Sequence, residues 1–262
     1  MESNHGTQAI AAVVTGLATS VFLLFIAAPV AGLVGAGGLA GLRDLGSDAE
    51  LRQSLILTAL CATGATALGV LGGTPLAYLL ARRRFAGKAM VAAIVDLPLV
   101  IPHPVAGIAL LLVLGRQSPA GQALATLGLR IVGAPGGIIC AMLFVSAPLF
   151  VGAAREAFAR VDARYESVAR TLGDSAWRAA RRVTLPLASR GLVAASIVMW
   201  ARAISEFGAI VILTYNPKVA SVLAYDRFLS FGLNEAIPAA AVLVLLALVP
   251  LIALRALHTS AE

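Results

Sequence analysis

Apolar residues along this chain gather into runs of roughly 20–25 positions, the length a helix needs to cross about 30 Å of hydrocarbon. Six such runs are readable, at 9–34, 54–81, 90–115, 136–158, 187–213 and 236–257. Polar residues fall mainly in the stretches between them. The first run is too long for the apolar core of a secretory signal, and no Lys or Arg precedes it, so it is read as a retained helix. The pattern predicts an all-α, polytopic membrane protein with about six transmembrane helices, forming one transmembrane domain over residues 1–262.

Composition strengthens that reading. Of the 262 residues, 60% are hydrophobic and only 13% charged, too little polar surface to cover a soluble core of this size. Aromatics are scarce, while Ala, Gly, Leu and Val are abundant, which suits helices packed backbone to backbone. Cys61 and Cys140 both lie inside apolar runs and read as small hydrophobes, with no disulfide framework, metal site or cofactor implied.

The net charge of +7 matters through its distribution. The loop after the second run and the segment after the fourth, with Arg155 and Arg190 at the adjoining ends of the flanking runs, carry twelve Lys and Arg, against six in the other three loops. Positive residues collect on the cytoplasmic side. The two rich segments are therefore read as cytoplasmic, which places both termini inside a multi-pass cell-membrane protein. Nucleic-acid binding is not needed to explain the charge.

Two runs carry features that hydrophobicity alone does not require. In the third, Pro98, Pro102 and Pro104 lie within Asp96-Leu-Pro-Leu-Val-Ile-Pro-His-Pro104, and each removes a backbone donor. Such a break survives in a membrane where it faces protein or a watery cavity. A packing kink and a pathway-lining element are both consistent with it. His103 likewise reads as a packing residue or a pathway contact, and Asp96 is expected to bond to the loosened backbone or to an arginine. Pro75, after two glycines, is expected to kink the second run. In the fifth run Arg202 and Glu206 stand one helical turn apart, where each charge alone costs about 2.5–3.5 kcal/mol at mid-membrane. At this spacing they can pair. The pair reads either as a brace between helices or as a pathway element, in which Arg202 draws an anion and Glu206 restrains the arginine.

Between the fourth and fifth runs lies Tyr165-Glu-Ser-Val-Ala-Arg-Thr-Leu-Gly173, followed by Asp-Ser-Ala-Trp-Arg-Ala-Ala-Arg-Arg-Val-Thr-Leu-Pro186. This predicts helix, break, helix. Gly173 suits the left-handed residue that ends the first helix, and Asp174 or Ser175 can cap the next. Pro186 sits where a new membrane helix can begin without wasting a donor. Val168, Ala169 and Leu172 share one face, with Trp177 just past the break. A short apolar ridge among arginines suits a groove on a partner protein, and the arginines would also permit an amphipathic linker lying on anionic lipid.

The same segment resembles the coupling loop of binding-protein-dependent ABC permeases, whose pattern is Glu-Ala-Ala, a following Gly and a hydrophobic-x-Leu-Pro ending. Gly173, Val183, Leu185 and Pro186 match it, the Glu-Ala-Ala positions fall on Ser167, Val168 and Ala169, and Glu166 stands one residue early. Trp200-Ala-Arg-Ala-Ile-Ser-Glu-Phe-Gly-Ala209 resembles the fifth-span signature of molybdate and sulfate permeases. The 97–108 stretch, Tyr215-Asn-Pro-Lys and Tyr225-Asp-Arg-Phe228 resemble the tungstate/molybdate branch. The resemblance implies a type I, molybdate-permease-like importer fold that translocates a tetrahedral oxyanion by alternating access, with tungstate or molybdate ahead of sulfate. It implies a homodimer, two copies of an ABC ATPase subunit inside, and an extracytoplasmic binding protein docked on the outer loops around 214–235. The implied ATPase-coupling residues are Glu166, Ser167, Val168, Ala169, Leu172, Gly173, Trp177, Leu185 and Pro186, over a loop at about 159–186. The implied path or gate residues are Arg202, Glu206, Phe207, Gly208, Pro102 and His103.

Other classes fare worse on the sequence. No Gly-x-x-x-x-Gly-Lys-Ser/Thr phosphate loop occurs, so ATP hydrolysis is assigned to a separate subunit. No His-Glu-x-x-His, Gly-x-Ser-x-Gly or paired-carboxylate motif marks a membrane enzyme, and no catalytic residue is nominated. A stand-alone channel or secondary carrier remains the alternative. Carriers pair two halves with helices broken at matching positions, whereas here only the third run is heavily broken in sequence.

Overall fold

The structure is a computed structural model and describes residues 3–259. Among the described residues there are twelve α-helices and no strand. They are α1 (Ser3–Ser47), α2 (Ala49–Arg82), α3 (Lys88–Val100), α4 (His103–Leu114), α5 (Pro119–Thr126), α6 (Pro135–Arg160), α7 (Ala163–Thr171), α8 (Ala176–Ala179), α9 (Leu185–Ile204), α10 (Gly208–Leu213), α11 (Ala220–Phe231) and α12 (Leu233–Thr259). A π-helical turn, Ala180–Thr184, joins α8 to α9. Five of these stretches are long and apolar enough to cross a membrane, and α3 with α4 makes a sixth, bent by 117°.

Two expectations need correction. α1 does not end near residue 34 but continues to Ser47. Its glycine-rich second half stays helical because α12 lies directly on it. A Cβ at Gly37 would sit 2.4 Å from Ile237 Cγ2, and one at Gly41 would sit 2.5 Å from the Pro238 carbonyl. The fifth span ends at Ile204 and resumes as α10, so it too is broken. α2 is continuous from Ala49 to Arg82, with Pro75 inside it.

The two ends of the bundle are fixed by side-chain contacts. Cys61, in the first half of α2, points its Sγ at the Pro135 carbonyl that opens α6, 3.9 Å away. At the opposite end Arg82 donates to the Val161 carbonyl, which closes α6, at 2.5 Å. α2 and α6 therefore run parallel, and α3–α5 return the chain across the bundle once despite the bend. α9 climbs from the Arg82 end, with Gly191 against Ala157, to Trp200, whose Nε1 donates to Thr63 at 3.0 Å. α11 closes the far end, where the Ala220 amide donates to Thr58 and Arg227 pairs with Asp48. α12 then packs antiparallel to α1.

Small residues make this packing possible. The buried face of α2 runs Thr58, Cys61, Ala62, Ala65, Gly69, Gly73 and Ala77, close to one residue per turn. Met199 of α9 and Phe150 of α6 fill the space above the glycines. A Cβ on Gly69 would meet Met199 Cε at 2.2 Å, and one on Gly73 would meet Phe150 Cδ1 at 2.8 Å. In hydrocarbon, such close van der Waals contact replaces the hydrophobic effect as the force between helices. Three buried clusters result, the smallest of them Leu51, Leu223 and Ala239 beside the α1–α2 turn. Leu80, Phe150, Phe158 and Met199 fill the Arg82 end, while Ile138, Met142, Ile204 and Leu213 fill the Asp48 end.

Candidate functional site

The two helix breaks face each other. Ile101 and Pro102 are extended, which separates α3 from α4, and 205–207 separate α9 from α10. Glycines let α4 and α10 touch. A Cβ on Gly208 would lie 2.7 Å from His103 Cβ, and one on Gly107 would lie 2.7 Å from the Ala209 carbonyl. Three ionisable side chains meet at this junction. The Glu206 Oε2 accepts from Arg202 at 2.9 Å and lies 3.1 Å from His103 Nδ1. Its Oε1 accepts from the Ala209 amide at 2.8 Å, satisfying a free donor at the start of α10. The Glu206 backbone carbonyl accepts from Ser221 of α11.

The arginine is equally engaged. Arg202 donates to Ser205 Oγ at 3.2 Å through one nitrogen and meets His103 Nε2 at 2.8 Å through the other. A His103 ring that donates from Nδ1 to Glu206 and accepts from Arg202 at Nε2 satisfies all three groups. Burial ranks them. The Glu206 side chain has no accessible surface, whereas Arg202 retains 22% and His103 43%. A cation and an imidazole thus meet any incoming ligand, and the carboxylate stays behind them.

Of the residues proposed for a path, Arg202, Glu206 and His103 are brought together. Pro102 is exposed at the hinge and Gly208 is a packing contact. Phe207 packs on Tyr225 of α11, ring centroids 4.9 Å apart. Asp96 departs from expectation. It is exposed on α3 and bonds neither to the loosened backbone nor to an arginine among the described residues, because the break lies a turn beyond it.

The segment between α6 and α9 forms the second constellation. Gly173 adopts φ +99, and the Asp174 amide reaches back to the Ala169 carbonyl at 3.1 Å, closing α7. Ser175 caps α8 by accepting from the Arg178 amide, while Asp174 faces Arg178 and Arg182, each at 3.5 Å. Val168, Leu172 and Trp177 are exposed, and Ala169 is half-buried. Ser167 is exposed, its hydroxyl turned back to the Ala163 carbonyl. Pro186 stands in the first turn of α9, where the sequence places it, but α9 continues from the preceding turn rather than starting afresh. The chain is helical without interruption over Ala176–Ile204, and the π turn, with the Leu185 amide bonded to the Ala180 carbonyl, accommodates the proline. Leu185 is exposed beside it.

Glu166 points away from the exposed ridge. Its carboxylate accepts from Tyr78 at 3.1 Å and from Thr184, with Arg82 Nε 3.4 Å away. Tyr78 and Thr184 escaped sequence reasoning, since a hydroxyl in a helix carries no spacing signal. The only hint was the one-residue offset of Glu166.

A third network ties down the Asp48 end. Lys218 pairs with Asp226 at 2.6 Å and with Glu50 at 3.5 Å, and Arg227 pairs with Asp48 and Glu50. Lys218 and then Tyr215 hold the Asp226 carboxyl below its ordinary value of 3.8. For Asp48, burial works upward, but the Leu51 amide and Arg227 outweigh it and the carboxyl also sits below 3.8.

The profile of the family described as "binding-protein-dependent transport system inner membrane component" matches residues 73–261. A molybdate/tungstate transport system permease protein, WtpB, of Thermococcus kodakarensis is 44% identical over 78% of this chain and 76% of its own. A probable molybdenum ABC transporter permease protein of Haloferax volcanii is 38% identical over 94% of this chain and 90% of its own. Among solved structures, a bacterial ABC transporter involved in import of the acidic polysaccharide alginate superposes with TM-score 0.74 at 18% identity, over 97% of this chain and 96% of that one. The inward-facing MetNI methionine ABC transporter gives TM-score 0.61 at 18% identity, over 79% of this chain and 95% of that one.

Proposed function

This chain belongs to the family of binding-protein-dependent transport system inner membrane components, and from that premise we propose that it passes a molybdate- or tungstate-type oxyanion through the membrane. It is a multi-pass permease subunit with an ABC importer fold and no enzyme activity assigned to it. The substrate class is supported by relatives named for molybdate and tungstate. The observation that carries it in this chain is Arg202, held at the meeting of two helix breaks by a fully buried Glu206.

The chemistry suits a transit site. Unit charges 4 Å apart attract by about 4 kcal/mol at an effective dielectric of 20, so a bare cation would retain a dianion. Glu206 offsets that attraction and leaves a weak, releasable contact. Arg202 supplies donors to the anion's oxygens while His103 braces it against Glu206, and Phe207 with Gly208 and the Pro102 hinge sets how closely α4 and α10 approach. The Arg82 end is the cytoplasmic end, because twelve of the loop cations lie there. α1 and α12 then both have their far ends inside, although the terminal residues themselves lie outside the described ones. Two ATPase subunits dock on the ridge of Val168, Leu172 and Trp177 of a homodimer, supported by Ser167, Ala169, Gly173, Leu185 and Pro186. The binding protein docks at the opposite end, over 214–235. ATP-driven closure inside then alternates access to the Arg202 site.

The test is uptake by liposomes that contain the chain with its ATPase and binding protein. ATP-dependent accumulation of molybdate is expected, displaced by tungstate more readily than by sulfate. Arg202→Gln should lower uptake at least about tenfold while the subunits still copurify, the scale of one lost charge-assisted contact. Full uptake by Arg202→Gln would falsify the transit-site assignment.

A further inference from the structure

We propose that Glu166 is the mechanical joint of this permease, a positioning residue through which displacement of the exposed ridge reaches the membrane helices. The inference rests on the permease reading and concerns a carboxylate that the resemblance groups with the ATPase-coupling residues but that turns away from the ridge toward α2.

α7 has no buried residue. Apolar packing therefore does not hold it to the bundle, and polar contacts must. Among the described residues, the bonds and ion pairs from its side chains to the membrane helices all go through Glu166. Tyr78 and Arg82 of α2 and Thr184 of the π turn converge on that one carboxylate. Arg82 also donates to the Val161 carbonyl at the end of α6. One acid and one arginine thus tie together α2, α6, α7 and the start of α9.

The ridge lies on the other side of the same helix. At about 100° per residue, Val168 and Leu172 project opposite Glu166. Both are exposed, Leu172 to 84%, whereas the Glu166 side chain is 17% accessible and Arg82 11%. A force applied at Leu172 is carried across one helix diameter to the carboxylate. From there it reaches α2 and α9, the helices that run to Thr63, Trp200 and Arg202. Two charge-assisted hydrogen bonds, from Tyr78 and Thr184, and the Arg82 ion pair hold the direction of that force as well as its point of attachment. The π turn beside Thr184 is the place where α9 can change register under load.

The test separates coupling from assembly. In liposomes holding the complete complex, molybdate taken up per ATP hydrolysed is measured for wild type, Glu166→Gln, Tyr78→Phe and Leu172→Ala, alongside copurification of the ATPase. Glu166→Gln removes the charge and keeps the shape. It is expected to retain the ATPase and its hydrolysis, with the uptake ratio down about tenfold, within the usual range of coupling between sites. Tyr78→Phe should lower the ratio about threefold, the low end for one hydrogen bond. Leu172→Ala, on the docking ridge, should instead lower copurification of the ATPase. A wild-type ratio in Glu166→Gln, or loss of the ATPase in both Glu166→Gln and Tyr78→Phe, would overturn the joint. A wild-type complex that accumulates no molybdate or tungstate would overturn the permease reading itself, and the joint with it.

Discussion

Glu206 has no accessible surface, yet every oxygen it carries is used. One carboxylate oxygen meets Arg202 and His103, the other caps α10, and the carbonyl holds Ser221. This arrangement makes the two members of the pair unequal. Arg202→Leu leaves a buried carboxylate without its cation, a loss of about 3–5 kcal/mol. Glu206→Gln keeps an acceptor for the Ala209 amide and leaves the half-open arginine some access to other partners, so about 1–2 kcal/mol is expected. Thermal unfolding in detergent, followed by circular dichroism, should therefore rank Arg202→Leu well below Glu206→Gln, and the reverse order would contradict the geometry. Arg202 and Glu206 were legible in the sequence because any charge inside an apolar run stands out, and His103 because prolines flank it. Their convergence was not legible. It depends on Gly107 and Gly208 bringing two broken helices together, and glycine is silent about which neighbour it admits.

At the scale of elements, hydrophobic runs located every membrane helix but misjudged how helices end and bend. α1 outran its prediction because Gly37 and Gly41, poor helix formers in isolation, are where α12 makes contact. The break at 205–207 carries no proline, so nothing in the local sequence announced it. Gly173 behaved as its left-handed conformation requires, whereas Pro186 was absorbed by a π turn that spacing rules do not anticipate. The junction of α11 with the α1–α2 turn depends on charge and offers a pH test. Asp226 and Asp48 both sit below 3.8 in the folded chain. Groups with lowered values stabilise the fold above their unfolded value, and the contribution is lost as pH falls through the folded one. Protection of the Ala220–Phe231 amides from hydrogen exchange should thus be unchanged from pH 7 to 5 and fall below about pH 3.8, earlier than that of α6. Equal loss in both helices would mean that the network does not hold this end.

For the whole molecule, two sites lie at different depths and share the same rods. From Thr184 at the Glu166 joint to Arg202 the chain covers 18 residues of continuous helix, about 27 Å at 1.5 Å per residue. α2 runs beside it, locked by Met199 over Gly69. The structure also supplies what the sequence lacked for a carrier, since a second broken span now faces the first, and helix breaks that meet at a central site are what secondary carriers use. The deciding feature is the ridge. Val168, Leu172 and Trp177 are 58%, 84% and 70% exposed along α7 and the start of α8. A carrier needs no such surface, and an apolar ridge among arginines left bare in water is unfavourable unless a partner covers it. No phosphate loop occurs in the sequence, so the energy must come through that partner. The chain reconstituted alone should therefore neither hydrolyse ATP nor accumulate molybdate, even under an imposed proton or sodium gradient. Adding the ATPase and binding protein should restore both activities together. Gradient-driven uptake by the chain alone would make it a carrier, and the ridge would then be a membrane-surface element.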